Sequence, residues 1–398
     1  MIPPDRYRFW AVALPGAAFA GVLAVGSDAD TIRWFMEYAV LLAVGVLAMS
    51  LPHLALPDPN QFLFQLANVA PVALAAGQWR RWQPVALGLL VPGAVLAFWP
   101  PLDGVRLVRG VAYALVVGGV AFEALGYYHR IGPLSQEWSE GKRGDVYRWL
   151  KENTPYSVAL PDGLVPAFLG TGRLFILGAT VHLAGRLLEG VHLALAVVPG
   201  LVLFVVGILR WRASRAGFDG PYYHSNAFFR EIFAAGRLHA APAPALPYDS
   251  LYWIPTRLRP AAWLVLLQLD RRIPLGRLLA FGHGLFWVMV WRGAPEAAVT
   301  ALLAVLVVAP RAVSTIAARP PILPAFVAMH YLSRSDWHFV RLWINLRWTF
   351  PFIASVALVE WASPAWTFAG VVLWAGVDLL AALIAASAGP RPRASYAG

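Results

Sequence analysis

Apolar stretches of about 20 residues recur along the chain from residue 8 to residue 388 with no long polar interval between them. A helix rises 1.5 Å per residue, so a stretch of roughly that length crosses a hydrocarbon core. The segments 8–26, 34–52, 83–99, 105–127, 164–186, 190–210, 275–292, 295–312, 348–363 and 365–388 meet that test. They predict an all-α polytopic membrane bundle of about ten transmembrane helices in five hairpins, as a single membrane domain over 1–398. Composition agrees: only 13% of residues are charged, where a soluble chain carries about a quarter. The apolar run at 8–26 leads directly into a second one without a small-residue cleavage site, so the first segment is expected to stay as a span.

The stretch 61–78 is nearly long enough to span, but Gln61, Gln65, Asn68 and Pro71 break a lipid-facing helix. It reads as re-entrant or as an extra span. Basic residues decide between the two, because they are retained on the cytoplasmic side during insertion. With ten spans both termini share one side. That side collects Arg6, Arg8, Arg80, Arg81, both lysines and the basic residues of 128–163, 210–274, 313–347 and the tail. The opposite turns hold Arg33, Arg106, Arg109, Arg186 and Arg292. An eleventh span would move Arg6 and Arg8 outside, so ten is the expectation.

The long connections fall on this cytoplasmic side, and 128–163 and 210–274 are expected to be loops with interfacial helices. Over 334–346, Arg334, His338, Arg341 and Asn345 share one helical face, opposite Phe339, Leu342, Trp343 and Leu346, a pattern that suits the headgroup plane. Residues 140–152 form a shorter amphipathic candidate. Tryptophans such as Trp34, Trp79, Trp291 and Trp361 stand near expected span ends, where amphipathic rings anchor helices.

An ionisable group in lipid costs roughly 2.5 to 3.5 kcal/mol on insertion scales, so each one is a functional candidate. Glu123, Arg173, His182, His283 and Asp378 are the intramembrane candidates. Glu123 and Arg173 lie in adjacent hairpins and are expected to pair; Asp378 has no partner legible in the sequence. His182 and His283 stand on separate segments, as two axial haem b ligands would, but two dispersed histidines are weak grounds, and packed, hydrogen-bonded histidines are expected instead. Arg271, Arg272 and Arg277, where a span meets the membrane, read as a positive-inside anchor or as a docking element for a partner. The stretch Tyr222, Tyr223, His224, Asn226, Arg230 and Glu231 gathers polar groups in a cytoplasmic loop.

The chain has no cysteine, which removes thiolate chemistry and Cys-ligated metals. No metal-binding motif is present, and none of the P-loop, GxGxxG, HExxH and GxSxG signatures occurs. The positive charge of +11 points to anionic lipid headgroups on the cytoplasmic face rather than to nucleic acid. The expectation is a permease-type transport component that relies on a partner such as an ATPase subunit or on an ion gradient. The alternatives are a non-catalytic or assembly subunit of a larger membrane complex, and an intramembrane enzyme acting on a lipid-linked substrate. The Ala, Arg, Val, Gly and Pro bias, with little Lys, resembles that of chains from GC-rich bacterial genomes, so a bacterial inner membrane is expected, with both termini cytoplasmic from the placement of the basic residues.

Overall fold

The structure is a computed structural model. It describes residues 9, 13, 16–17, 20–21, 28–54, 61–98, 103–140, 165–215, 217–218, 222–223, 254–272, 275–317, 323–324, 333–362, 368–388 and 394–395. Their helices are α1 (Ala29–Leu54), α2 (Gln61–Leu66), α3 (Pro71–Phe98), α4 (Gly104–Glu140), α5 (Val165–Glu189), α6 (Val197–Arg215), α7 (Arg259–Arg272), α8 (Leu275–Trp291), α9 (Glu296–Ala317), α10 (Arg334–Leu346), α11 (Thr349–Ala362) and α12 (Phe368–Ala388). Apart from a two-residue parallel bridge between Leu323–Pro324 and Ala394–Ser395, the described regular structure is helical.

Helix boundaries follow local chemistry. Asp28 accepts the Thr31 N–H at the start of α1, and Asp103 accepts the Val105 N–H at the start of α4, as N-cap carboxylates do. Ser333 and Asp336 close a reciprocal capping box on α10. At the end of α8 the Ala294 N–H bonds to the Met289 carbonyl and the Gly293 N–H to the Val290 carbonyl, with Gly293 at φ +76°, which is the Schellman arrangement that favours glycine.

Among the described residues six helices are long and apolar enough to cross a membrane: Asp30–Met49, Gly104–Tyr127, Leu193–Arg215, Glu296–Thr315, Ser335–Trp361 and Ala369–Ala388. A seventh is added if Pro71–Arg80 and Trp82–Phe98, bent by 40°, count as one. The described chain is therefore helical, with several helices long and apolar enough to span a membrane, as in an integral membrane protein. The expected span at 275–292 is the shorter apolar helix Leu278–Trp291. The expected span at 164–186 falls on α5, a 25-residue helix outside the six. The first expected span lies largely outside the described residues.

Within 61–78 the helix breaks after Leu66, where Asn68 adopts φ +46° and Pro71 opens α3 at a position that needs no N–H. Helix α4 runs on to Glu140, so the first third of the expected loop 128–163 continues the span as helix. The remainder of that loop, including most of the 140–152 candidate, lies outside the described residues.

The chain divides into two compact units, Met1–Leu42 with Leu87–Trp99 and Ala245–Gly398, and Ala43–Ala86 with Pro100–Pro244. The second unit is built on α4, α5 and α6 packed against one another. Its closest seam uses Gly119 on α4 and Gly200 and Gly207 on α6. A Cβ at Gly207 would stand 2.9 Å from the Gly119 carbonyl oxygen, and one at Gly200 3.1 Å from the Leu115 Cβ. Small residues let membrane helices approach this closely, and dispersion over the shared length then holds them together. In the first unit α8 packs on α9 and α11, α12 packs on α9, α10 and α11, and α7 packs on α10.

Helix α10 buries a different face from the expected one. Trp337, Val340 and Ile344 are buried against Ile254, Leu258, Ala262 and Leu266, whereas Phe339 is 49% exposed and Asn345 is buried. A wide amphipathic stripe admits two rotations, and here the packing of α7, together with a hydrogen bond to Asn345, selects the one that hides the asparagine.

Candidate functional site

In the first unit the buried charges converge on α9 and α12. Arg311 and Asp378 form an ion pair, Nη2 to Oδ1 at 2.6 Å, with side chains 4% and 0% exposed. The Thr349 hydroxyl, at the first residue of α11, donates to Asp378 Oδ2 at 2.7 Å. Arg311 Nη1 donates to the Val307 carbonyl at 3.2 Å, in the turn where Pro310 removes a backbone donor from the helix. The Ser314 hydroxyl, one turn on, lies 3.0 Å from both the Arg311 carbonyl and Asn345 Oδ1, while Asn345 Nδ2 donates to the Arg341 carbonyl.

The pair is incompletely satisfied. Although Nη2 and Oδ1 are in ionic contact, their alignment is not that of a hydrogen bond, and Arg311 Nε has no acceptor among the described residues. Buried donors of this kind are uncommon and ask for an explanation.

Helix α12 is apolar around its whole circumference, so periodicity alone does not orient it. Its buried stripe is marked by small residues: Asp378, Ala382, Ala385 and Ala386 face protein, while Leu373, Leu380 and Ile384 are exposed. Asp378 thus belongs to the protein-facing stripe.

A second polar group lies in the same unit. His283 Nδ1 is 2.6 Å from the Ser355 hydroxyl, which also accepts the Trp287 indole N–H at 2.9 Å and approaches the Pro351 carbonyl at 3.1 Å. His283 and Ser355 are buried, and His283 lies within electrostatic range of Arg311. Next to it on α8, the Gly282 carbonyl accepts the Tyr38 hydroxyl at 3.1 Å, tying α1 to α8.

In the second unit the structure corrects one expected pairing. Glu123 pairs with Arg210 on α6, whose Nη1 lies 3.0 Å from both carboxylate oxygens, and not with Arg173. The reason is the glycine seam, which presses α4 on α6 so that Gly126 faces the Arg210–Trp211 backbone. Arg173 is exposed on α5, within electrostatic range of Tyr127. Glu123 stands one turn from the end of its span at Tyr127. At the other end of this bundle Arg109 clasps Glu189 through Nε at 2.9 Å and Nη2 at 2.6 Å, and Arg186 adds a third contact at 3.0 Å.

His182 is half-buried on α5, in the second unit, and His283 belongs to the first. Among the described residues no group of three or more His, Cys, Asp or Glu is placed to hold a metal ion. Arg271, Arg272 and Arg277 stand on α7 and α8, and their side chains lie outside the described residues. Of the loop candidates, Tyr222 is buried and makes edge contacts with Phe218 and Tyr223; His224, Asn226, Arg230 and Glu231 lie outside the described residues.

Sequence reasoning missed Arg311, Thr349, Ser314 and Ser355, and set Asn345 on a headgroup-facing surface where the structure buries it. The expected span ended at residue 312, which put Arg311 at the membrane edge, but the helix continues through Ala317. The run Ala312–Val313–Ser314 after the arginine was the available signal. No protein-family model, no curated protein and no solved structure matches this chain.

Proposed function

We propose that the chain is a permease-type component of a membrane transport system, with about ten spans in five hairpins and both termini cytoplasmic in a bacterial inner membrane. The Arg311–Asp378 pair is its buried coupling element. What carries the reading is that pair's incomplete satisfaction. A buried ion pair adds little net stability over well-packed apolar residues, and ionisable groups in hydrocarbon are costly to insert. A pair that leaves Arg311 Nε without an acceptor among the described residues is poorly suited to a purely structural role and well suited to exchanging partners with an ion, a proton or a polar substrate. No nucleotide-binding signature occurs in the chain, so energy comes from a partner ATPase or an ion gradient, with Arg271, Arg272 and Arg277 as the docking face for such a partner.

A second reading, a non-catalytic subunit of a larger membrane complex, draws on the second unit. There Glu123 and Glu189 are both held by arginines, as packing helices would hold them. Purification in mild detergent with quantitative mass spectrometry separates the two. A stoichiometric ATPase supports the permease, stoichiometric redox or structural subunits support the second reading, and a single protein leaves a gradient-driven transporter.

A further inference from the structure

The arginines at the two ends of the second unit are treated differently. Of those at the Arg109 end, Arg109 and Arg186 are both matched to Glu189. At the opposite end stand Arg173, Arg210, Arg212 and Arg215, and among the described residues Glu123 is held there by Arg210. Arg173 stands on α5 some two turns inside the helix, on a face otherwise made of exposed apolar residues such as Ile176, Leu183 and Leu187. Arg210 keeps half of its side chain exposed while pairing with Glu123.

Arg215 lies over the Trp211 ring at 4.9 Å, and that ring packs against Trp79 and Phe122. Two donors here are buried and lack an acceptor among the described residues: Arg215 Nε and Trp211 Nε1. An N–H removed from water without a partner is costly, so both donors point to an acceptor that is not part of the described chain. Leading toward them, α6 exposes Val198, Leu201, Val202, Val205 and Leu209, an apolar slope one helix long.

We propose that the Arg173, Arg210, Arg215 and Trp211 end of the α4–α5–α6 bundle binds the phosphate headgroup of an anionic phospholipid, with its acyl chains along the exposed face of α6. Guanidinium forks match phosphate oxygens, and basic pockets between membrane helices hold anionic headgroups. The apolar slope selects a lipid over a free phosphate, which would have no use for it. Glu123 sets the geometry by holding Arg210 in place, and the remaining positive charge is left for the ligand.

The test uses the full-length protein in a neutral detergent. Lipid retention is counted by native mass spectrometry, and the thermal midpoint is followed with added phosphatidylglycerol, phosphatidylcholine or inorganic phosphate. The expected result is preferential retention of phosphatidylglycerol, weakened roughly fivefold for each arginine removed in Arg173→Gln and Arg173→Gln/Arg215→Gln. Retention should be intermediate in Arg173→Lys/Arg215→Lys, which keeps the charge but not the guanidinium fork, and unchanged in Arg33→Gln, which alters a residue of the other unit. Arg173 is exposed, so its single variant keeps the test sound if the double variant does not fold. Equal retention of the two lipids, undiminished preference in Arg173→Gln, or full replacement of the lipid effect by inorganic phosphate would each overturn the proposal.

Discussion

Replacing Asp378 by leucine should destabilise the protein even though it removes a charge from a membrane helix. The carboxylate is fully buried and its Oδ1 is 2.6 Å from Arg311 Nη2. With charge centres about 4 Å apart and an effective dielectric constant near 20, the attraction is about 4 kcal/mol. Leucine leaves the Arg311 guanidinium buried and uncompensated, which typically costs about 3 to 5 kcal/mol, and it strips the Thr349 hydroxyl of its acceptor. Replacing both partners, as Arg311→Met/Asp378→Leu, should recover most of that loss, because two well-packed apolar side chains of similar volume are about neutral relative to a buried pair. The assay is unfolding in detergent of the wild type, both single variants and the double variant, read as a double-mutant cycle. The reasoning is refuted if Asp378→Leu matches the wild type, or if the double variant is no more stable than the worse single one.

Further outcomes follow from the packing and the caps. Gly207→Leu should destabilise the second unit by about 1 to 3 kcal/mol, because its Cβ meets the Gly119 carbonyl, whereas Gly376→Ala, with open space around it, should be neutral or stabilising by up to about 1 kcal/mol; thermal midpoints compare the two. Asp28, capping α1 from outside the span, is held below the usual carboxylate range by the neighbouring Thr31 hydroxyl, although the two fall short of hydrogen-bond geometry, and by the Thr31 N–H, which donates to it. Its contribution is therefore fully present above about pH 4 and is lost as the pH falls through the lowered value. The stability advantage of wild type over Asp28→Ala should accordingly be flat from pH 5 to 7 and shrink on acidification, and Asn at that position should show no such shrinkage. Ser355→Ala should leave both His283 and the Trp287 N–H without their shared partner, lowering stability by about 1 to 3 kcal/mol in the same unfolding assay.

Membrane character was legible because it depends on composition and run length, which need no tertiary information. Individual partners were less so. Apolar periodicity is silent in helices such as α12 that are apolar all round, and the small-residue stripe Asp378, Ala382, Ala385 and Ala386 becomes readable only once small residues are taken to mark the protein-facing side. Arg311 was hidden by a boundary error of a few residues, since the apolar run ends near residue 312 while the helix continues through Ala317. The exchange of Arg173 for Arg210 as partner of Glu123 has the same root. Adjacent hairpins suggested α4 with α5, while the seven-residue spacing from Gly200 to Gly207, in register with Gly119 and Gly126, carried the unread signal for α4 on α6. The face of α10 was ambiguous because Trp and Phe occur on both sides of the helix, so hydrophobicity alone does not choose its rotation.

The most direct test of the transport reading uses the absence of native cysteine. A single cysteine at Thr349, the residue hydrogen-bonded to Asp378, is exposed to a membrane-impermeant thiol reagent in sealed vesicles of known orientation. If Arg311 and Asp378 lie on a transport path, the cysteine reacts under native conditions from at least one side of the membrane. A cysteine that reacts from neither side, yet reacts fully once the protein is unfolded, would show a sealed structural pair and contradict the account.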